Sequence, residues 1–105
     1  MVENASSPVF FTPNTELIEL KCSFRGWPRP RVVWHRPDGK LVTHGSESFY
    51  LSEQHDGEDA VTSVLHNFNI QEKHKGVYKC KAMNSITGWS SELSEDIELI
   101  YKCKC

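Results

Sequence analysis

The sequence lacks several features that would point to particular classes of protein. It contains no apolar run of the roughly 18 residues that a membrane-spanning helix requires, so we expect no direct membrane insertion by this stretch of chain. It also lacks an excess of basic charge, since 12 Lys and Arg stand against 14 Asp and Glu, for a formal net charge of −2. A protein that binds nucleic acid through electrostatics carries a clear basic excess, so we expect no nucleic-acid partner.

Signatures of catalysis and of bound cofactors are also missing. There is no glycine-rich phosphate-binding loop, no G-x-S-x-G nucleophile elbow and no H-E-x-x-H zinc motif. The histidines do not recur at the spacing of zinc ligands. We therefore expect neither enzymatic activity nor a metal ion or other cofactor.

The sequence does contain apolar and polar residues in alternation, interrupted at short intervals by turn residues. Its 105 residues suit one domain with one core, and its 38% hydrophobic content can supply that core. Period-two alternation with β-branched and aromatic residues is typical of an all-β sandwich or barrel, and no stretch favours a helix of useful length.

Alternation also predicts which side chains face the core. Residues 18–24 alternate so that Cys22 points inward, and residues 77–83 alternate so that Tyr78 and Cys80 point inward. Both segments therefore read as strands with one buried face.

The middle of the chain gives less regular patterns. Residues 37–40 have turn chemistry, residues 41–43 and 46–51 read as short strands, and residues 54–59 read as a polar hairpin. Residues 60–68 read as a strand whose apolar residues change phase. A β-bulge would reconcile that change of phase.

Four residues form a recognisable set: Cys22, Trp34, Tyr78 and Cys80. Two inward cysteines on different strands can bridge facing sheets, and an indole can fill the space beside the sulfur atoms. A tyrosine two residues before the second cysteine can anchor its hydroxyl to the backbone. This set resembles the immunoglobulin fold, and in particular its I-set type, which occurs in adhesion molecules, receptor ectodomains and muscle filament proteins.

Two longer motifs strengthen the resemblance. Residues 26–34 are similar to the family pattern G-x-P-x-P-x-V-x-W, and residues 76–84 are similar to G-x-Y-x-C-x-A-x-N. The resemblance implies an immunoglobulin-like β-sandwich of two antiparallel sheets in a Greek key, with a Cys22–Cys80 disulfide. The alternative is a pair of reduced thiols, as in cytosolic relatives. The resemblance also implies a structural core that includes Leu20, Val32, Trp34 and Tyr78.

Two positions depart from the family pattern. His74 stands where the family usually carries an Asp that helps to hold the loop, and Asn67 stands where an apolar strand residue is usual. These departures put the local hydrogen bonding of that corner in question.

The resemblance gives the domain limits. It covers residues 8–101, which leaves residues 1–7 as an N-terminal linker and residues 102–105 as a tail. No secretory signal is visible, because residues 2–7 are polar, and the start looks like the cut edge of a longer protein.

Two surfaces are candidate binding sites. The fold would bring Trp27 and Trp89 together at one loop end, where each indole either contacts a partner or covers its own end of the sandwich. The outward face of two strands would gather a basic group that either attracts an acidic partner, such as a glycosaminoglycan, or is an ordinary solvated face. That group comprises Arg31, His35, Lys79 and Lys81.

Three further residues carry separate predictions. Asn4 begins an N-glycosylation sequon, which is consistent with secretion. Cys103 and Cys105 lie beyond the last predicted strand and lack an obvious partner. We consider three alternatives for these two cysteines: they begin a following cysteine-rich module, they form intermolecular disulfides, or they bridge to each other.

These features favour a non-catalytic extracellular module of a cell-surface or secreted protein. It would recognise another protein, homophilically or heterophilically, and would space neighbouring domains. One alternative is an intracellular scaffold domain of the muscle filament type, with reduced core thiols. Another is a module of a secreted growth-factor-like protein that precedes an EGF-type domain.

Overall fold

Two β-sheets face each other in the computed structural model, which describes residues 2–3, 8–26, 29–86 and 89–103. Four strands in the order β1-β3-β6-β5 form one sheet, and four in the order β2-β8-β7-β4 form the other. Neighbouring strands are antiparallel except β2 and β8, which run parallel. This all-β sandwich confirms the predicted fold class. The strands are β1 Val2–Glu3, β2 Val9–Phe11, β3 Ile18–Arg25, β4 Arg31–His35, β5 Phe49–His55, β6 Ala60–Asn67, β7 Gly76–Ile86 and β8 Trp89–Tyr101.

The alternation in β3 and β7 places their side chains as the sequence predicts. Every second residue of β3 from Ile18 to Phe24 is buried, and so are Tyr78 and Cys80 of β7. Leu20 is fully buried, whereas Val32 of β4 is half-buried and packs against the core. Apolar burial of this kind is the main favourable contribution to folding.

Two links cross the interior between the sheets. The predicted disulfide is confirmed, since Cys22 of β3 is bonded to Cys80 of β7, with their Cα atoms 6.6 Å apart. Beside it, the buried indole of Trp34 donates a hydrogen bond from Nε1 to Oγ of Ser63, at 2.8 Å. Trp34 and Ser63 belong to opposite sheets, so the indole joins the two layers by a polar contact as well as by packing.

The predicted bulge in β6 is wrong. The strand pairs with β3 and with β5 in unbroken register over its length. The change of phase in the sequence arises because two of its inward positions are polar. Its inward side chains are Val61, Ser63, Leu65 and Asn67.

Asn67 is tolerated in the core because its amide is bonded at both ends. Nδ2 donates to the backbone carbonyl of Glu47 at 3.2 Å, and Oδ1 accepts the backbone N–H of Asn69 at 2.8 Å. A buried amide without such partners would be strongly unfavourable. Asn67 therefore ties the end of β6 to the segment before β5.

The strand predicted over residues 46–51 begins only at Phe49 and continues to His55, so it takes in residues assigned to the hairpin. Residues Ser46–Ser48 form a single 3-10 turn instead. Glu47 there has a left-handed backbone with φ of 49°. Its carboxylate bonds Arg36 at 2.6 Å and Lys73 at 3.3 Å, and these two cations, Lys73 foremost, lower the pKa of Glu47.

The strand predicted over residues 41–43 is also wrong. Only Leu41 forms a bridge, with His35, and Val42 donates its N–H to the carbonyl of Trp34 at 2.9 Å. The chain then leaves this sheet, and the side chain of Val42 is buried in the core.

His74 takes over the loop-holding role at the corner before β7. Its Nδ1 accepts the backbone N–H of Gln71 at 2.9 Å, and its carbonyl accepts the hydroxyl of Tyr78 at 2.7 Å. Nε2 is buried without a hydrogen-bond partner among the described residues, and the ring meets Phe49 edge-on at 5.4 Å. Burial, reinforced by the nearby charge of Lys73, lowers the pKa of His74.

Replacing both Cys22 and Cys80 by alanine should lower the free energy of unfolding by about 4 kcal/mol, because the bridge closes a long loop that restricts the unfolded chain. That loss is comparable to the whole stability of a small domain. Urea unfolding followed by tryptophan fluorescence measures it, and reduction of the wild-type protein should reproduce it. Equal unfolding midpoints for the oxidised wild type and the variant would contradict the prediction.

Stability should fall as the pH is lowered through about 6.5, the ordinary pKa of histidine. The unfolded chain binds a proton on His74 in this range, while the folded chain, with its lowered pKa, still resists it. The free energy of unfolding at pH 7.5 and pH 5 should therefore differ more in the wild type than in His74→Asn, which keeps an acceptor for Gln71 but does not titrate. Equal pH dependence in both proteins would show that His74 is not the cause.

Candidate functional site

The outer face of β4, β7 and β8 is the surface where the predicted basic residues come together. Side chains that alternate away from the core stand in rows across these strands. His35, Lys79 and Asp96 lie opposite one another in one row, and Val33, Lys81 and Ser94 lie in the next. The register of three strands thus gathers residues that are far apart in the sequence.

A groove of about 530 Å³ runs along this face. One wall is the turn after β4, which Gly39 closes with a φ of +89°. This turn packs closely against β7 at Gly76. A side chain there would not fit, because its Cβ would lie 2.7 Å from the ring of Pro37. The groove is lined by His35, Arg36, Pro37, Gly39, Val77, Lys79, Lys81 and Asp96.

The charges in the groove are mixed rather than uniformly basic. Lys79 lies 3.8 Å from the carboxylate of Asp96, and both side chains are well exposed. Arg36 directs its guanidinium to Glu47 at 2.6 Å and to Asp38 at 3.4 Å. The groove therefore offers both charge signs, which suits a polar protein surface better than a uniformly anionic polymer.

An apolar side chain borders the same charges. Val77, two residues before Lys79 on β7, is 44% exposed and lines the groove. His35 is half-buried, and its Nδ1 is buried without a hydrogen-bond partner among the described residues. This face therefore presents apolar area beside charges of both signs.

Arg31 departs from the predicted group. It lines a second groove, of about 390 Å³, at the edge of the sandwich between β4 and β5. The reason is the register, because Arg31 lies opposite Met83, two positions beyond the Val33–Lys81 row. The structure therefore brings together three of the four predicted residues, His35, Lys79 and Lys81.

Sequence reasoning missed the turn and the exposed Val77 as parts of the site. Val77 shares the outward parity of Lys79, so alternation in β7 was a sufficient signal for it. The turn at residues 37–40 was recognised as a turn, but its contact with Gly76 depends on long-range packing that alternation does not report.

Other predicted residues stay predictions. Trp27, Asn4 and Cys105 lie outside the described residues, and the side chain of Trp89 does too. Cys103 is disulfide-bonded, so it is not a free thiol. Its interpretation as part of a further module is untested.

Two observations concern metal ions and membranes. Within the described ranges, no three His, Cys, Asp or Glu side chains group closely enough to hold an ion. No helix in those ranges is long and apolar enough to cross a bilayer.

Comparison with known sequences gives consistent similarities. The model of a family described as immunoglobulin domain matches residues 3–84. Leucine-rich repeat-containing protein 4B of Homo sapiens is 35% identical over 86 residues, which cover 75% of this chain and 11% of that protein. The cell adhesion molecule DSCAM of Gallus gallus is 34% identical over 70 residues, which cover 67% of this chain and 3% of that protein. The chain thus spans a small part of the length of these relatives.

Solved structures show the same fold. The crystal structure of the N-terminal eight Ig domains of DSCAM superposes with a TM-score of 0.76 at 22% identity, covering 96% of this chain and 14% of that one. The BTLA ectodomain superposes with a TM-score of 0.68 at 21% identity, covering 95% of this chain and 94% of that one.

Proposed function

This chain belongs to the immunoglobulin domain family, and from that premise we propose that it is a non-catalytic module that recognises another protein outside the cell. The observation that carries the proposal is the groove on the outer face of β4, β7 and β8. Lys79 and Asp96 there provide opposite charges beside the exposed apolar side chain of Val77. The module would also space the domains on either side of it.

An extracellular location is supported by chemistry and by the relatives. The Cys22–Cys80 disulfide is stable in an oxidising compartment and is rare in the cytosol. DSCAM of Gallus gallus is a cell adhesion molecule, and a relative from Mus musculus, 32% identical over 65 residues, is named as a transmembrane domain-containing protein. We extend to this chain a role in adhesion or in ligand binding by a receptor.

The partner should be a protein rather than an acidic glycosaminoglycan. The carboxylate of Asp96 lies beside Lys79 and offsets its positive charge. The guanidinium of Arg36 forms ion pairs with Glu47 and Asp38. A polymer with anionic charge alone would gain little from such a face and would be repelled by the carboxylate.

Charge reversal in the groove should weaken recognition strongly. A multimerised form of the domain, screened against an array of purified cell-surface ectodomains, should bind at least one of them. Lys79→Glu should weaken that binding about tenfold or more. It replaces a cation with an anion beside Asp96, while the loss of an exposed ion pair costs the fold only about 0–1 kcal/mol.

The matched control is Lys21→Glu, which makes the same charge change on the exposed face of β3 in the other sheet. This control should bind like the wild type. The proposal fails if no ectodomain binds, if Lys79→Glu binds as well as Lys21→Glu, or if the domain binds only heparin-coated beads.

Alkylation distinguishes the extracellular module from an intracellular filament domain. Protein from its native source, denatured with an excess of iodoacetamide and without reductant, should take no label on Cys22 or Cys80. Prior reduction should make both cysteines reactive. Mass spectrometry of the peptides that contain them reads the label, and labelling without reduction would favour the intracellular alternative.

A further inference from the structure

Among the described residues, none pairs with the outer edge of β4 along its first part. One edge of β4 pairs with β7. On the other edge, the described residues form a single bridge, between His35 and Leu41. The carbonyl of Trp34 accepts the N–H of Val42 on the outer side. Backbone groups two residues apart in a strand point to the same side, so the N–H and C=O of Val32 also point outward. No described residue bonds either group of Val32.

The second groove lies beside this open edge. It has a volume of about 390 Å³, and β5 forms the wall opposite β4. The half-buried side chain of Val32 lies against the core at its base. The groove can therefore hold an extended chain with one face toward apolar atoms and its backbone alongside Val32. The lining residues are Arg29, Pro30, Arg31, Val32, Val33, Glu53 and His55.

Charge indicates the kind of chain that fits. Residues 29–36 include three arginines and no acidic residue. Arg29 is fixed beside the groove by a hydrogen bond from Nη1 to the carbonyl of Gly57 at 2.6 Å, and Arg31 is exposed. On the opposite wall the carboxylate of Glu53 pairs with His55 at 3.1 Å. A second copy of β4 would add its own Arg29 and Arg31 to those already beside the edge, so like charges disfavour self-pairing and an acidic chain is favoured.

We propose that the open edge of β4 binds an extended acidic segment of a partner protein as an added β-strand. Main-chain hydrogen bonds to Val32 supply the affinity. Alternate side chains of the guest supply the specificity, with apolar ones toward Val32 and acidic ones beside Arg31. This edge is separate from the groove that contains Lys79, so the proposal for one site can be wrong while the proposal for the other is correct.

A synthetic peptide tests the proposal directly. The probe is acetyl-Thr-Val-Glu-Val-Glu-Val-Thr-amide, titrated into the ¹⁵N-labelled domain and followed by NMR. Chemical shifts should change along β4 and near His55, and hydrogen exchange of the Val32 amide should slow because that group gains an acceptor. A peptide with Lys in place of both Glu residues should bind about tenfold more weakly or worse.

N-methylation of the peptide tests the backbone bonds themselves. The amides of alternate residues face β4: those of the Val residues if the guest is antiparallel, and those of the Glu residues if it is parallel. Methylating one set should abolish binding, while methylating the other should leave it nearly unchanged. Binding that both sets abolish, or that neither set affects, overturns the proposal.

Matched variants test the protein side. Arg31→Glu should weaken binding of the Glu peptide about tenfold and strengthen binding of the Lys peptide, whereas Lys21→Glu, on the exposed face of β3, should change neither. Val32→Pro should abolish binding because it removes an N–H that faces outward, a position where an edge strand tolerates proline. Val33→Pro removes an N–H that bonds β7 and should destabilise the fold, as circular dichroism would show.

Other results count against the proposal. Shifts confined to the outer face of β7, or no shifts at millimolar peptide, overturn it. So does self-association of the free domain through β4, seen as concentration-dependent broadening that Arg31→Glu alters. If Val32→Pro does not fold, the N-methylated peptides still decide.

Discussion

The Cys22–Cys80 bridge sets the arrangement on which the rest of the sandwich depends. Both residues are fully buried, and the bond joins the middle of β3 to the middle of β7 across the interior. A bond between two strands also fixes their parity, because side chains alternate along each strand. Once Cys22 faces inward, so do Leu20 and Phe24, and once Cys80 does, Tyr78 does as well. The inward orientation of the two bonded cysteines therefore determines which neighbouring side chains enter the core.

Alternation predicts the strands that touch this bridge and fails where a polar group takes a core position. Asn67 occupies an inward position because its amide bonds the carbonyl of Glu47, which is 20 residues away. That partner becomes available only because Glu47 lies in a left-handed turn held by Arg36 and Lys73. No local pattern reports such a set of contacts, so the phase of β6 and the start of β5 could not be predicted from the sequence.

The same limit applies to the candidate site. Outward parity predicts that His35, Lys79 and Lys81 share a face, and the register brings them together. Parity alone also assigns Arg31 to that face, because it counts every second residue equally along a strand. Arg31 does lie on that face, but it stands at the start of β4, where it lines the second groove. Distance along the strand is set by register, which requires the fold.

The edge of β4 shows how one set of charges can serve two purposes. A flat strand edge with unpaired backbone groups is a hazard, because it can pair with another copy of itself. The turn over residues 37–40 returns the chain to β4, where Leu41 forms a single bridge with His35. Beyond it the side chain of Val42 is buried in the core, and no described residue pairs with the edge near Val32. Arg29 and Arg31, which line the groove beside that edge, make it repel its own copy. The positive charges that repel a second copy of this edge also attract negative charges. The feature that protects the edge from self-pairing therefore also favours an acidic strand.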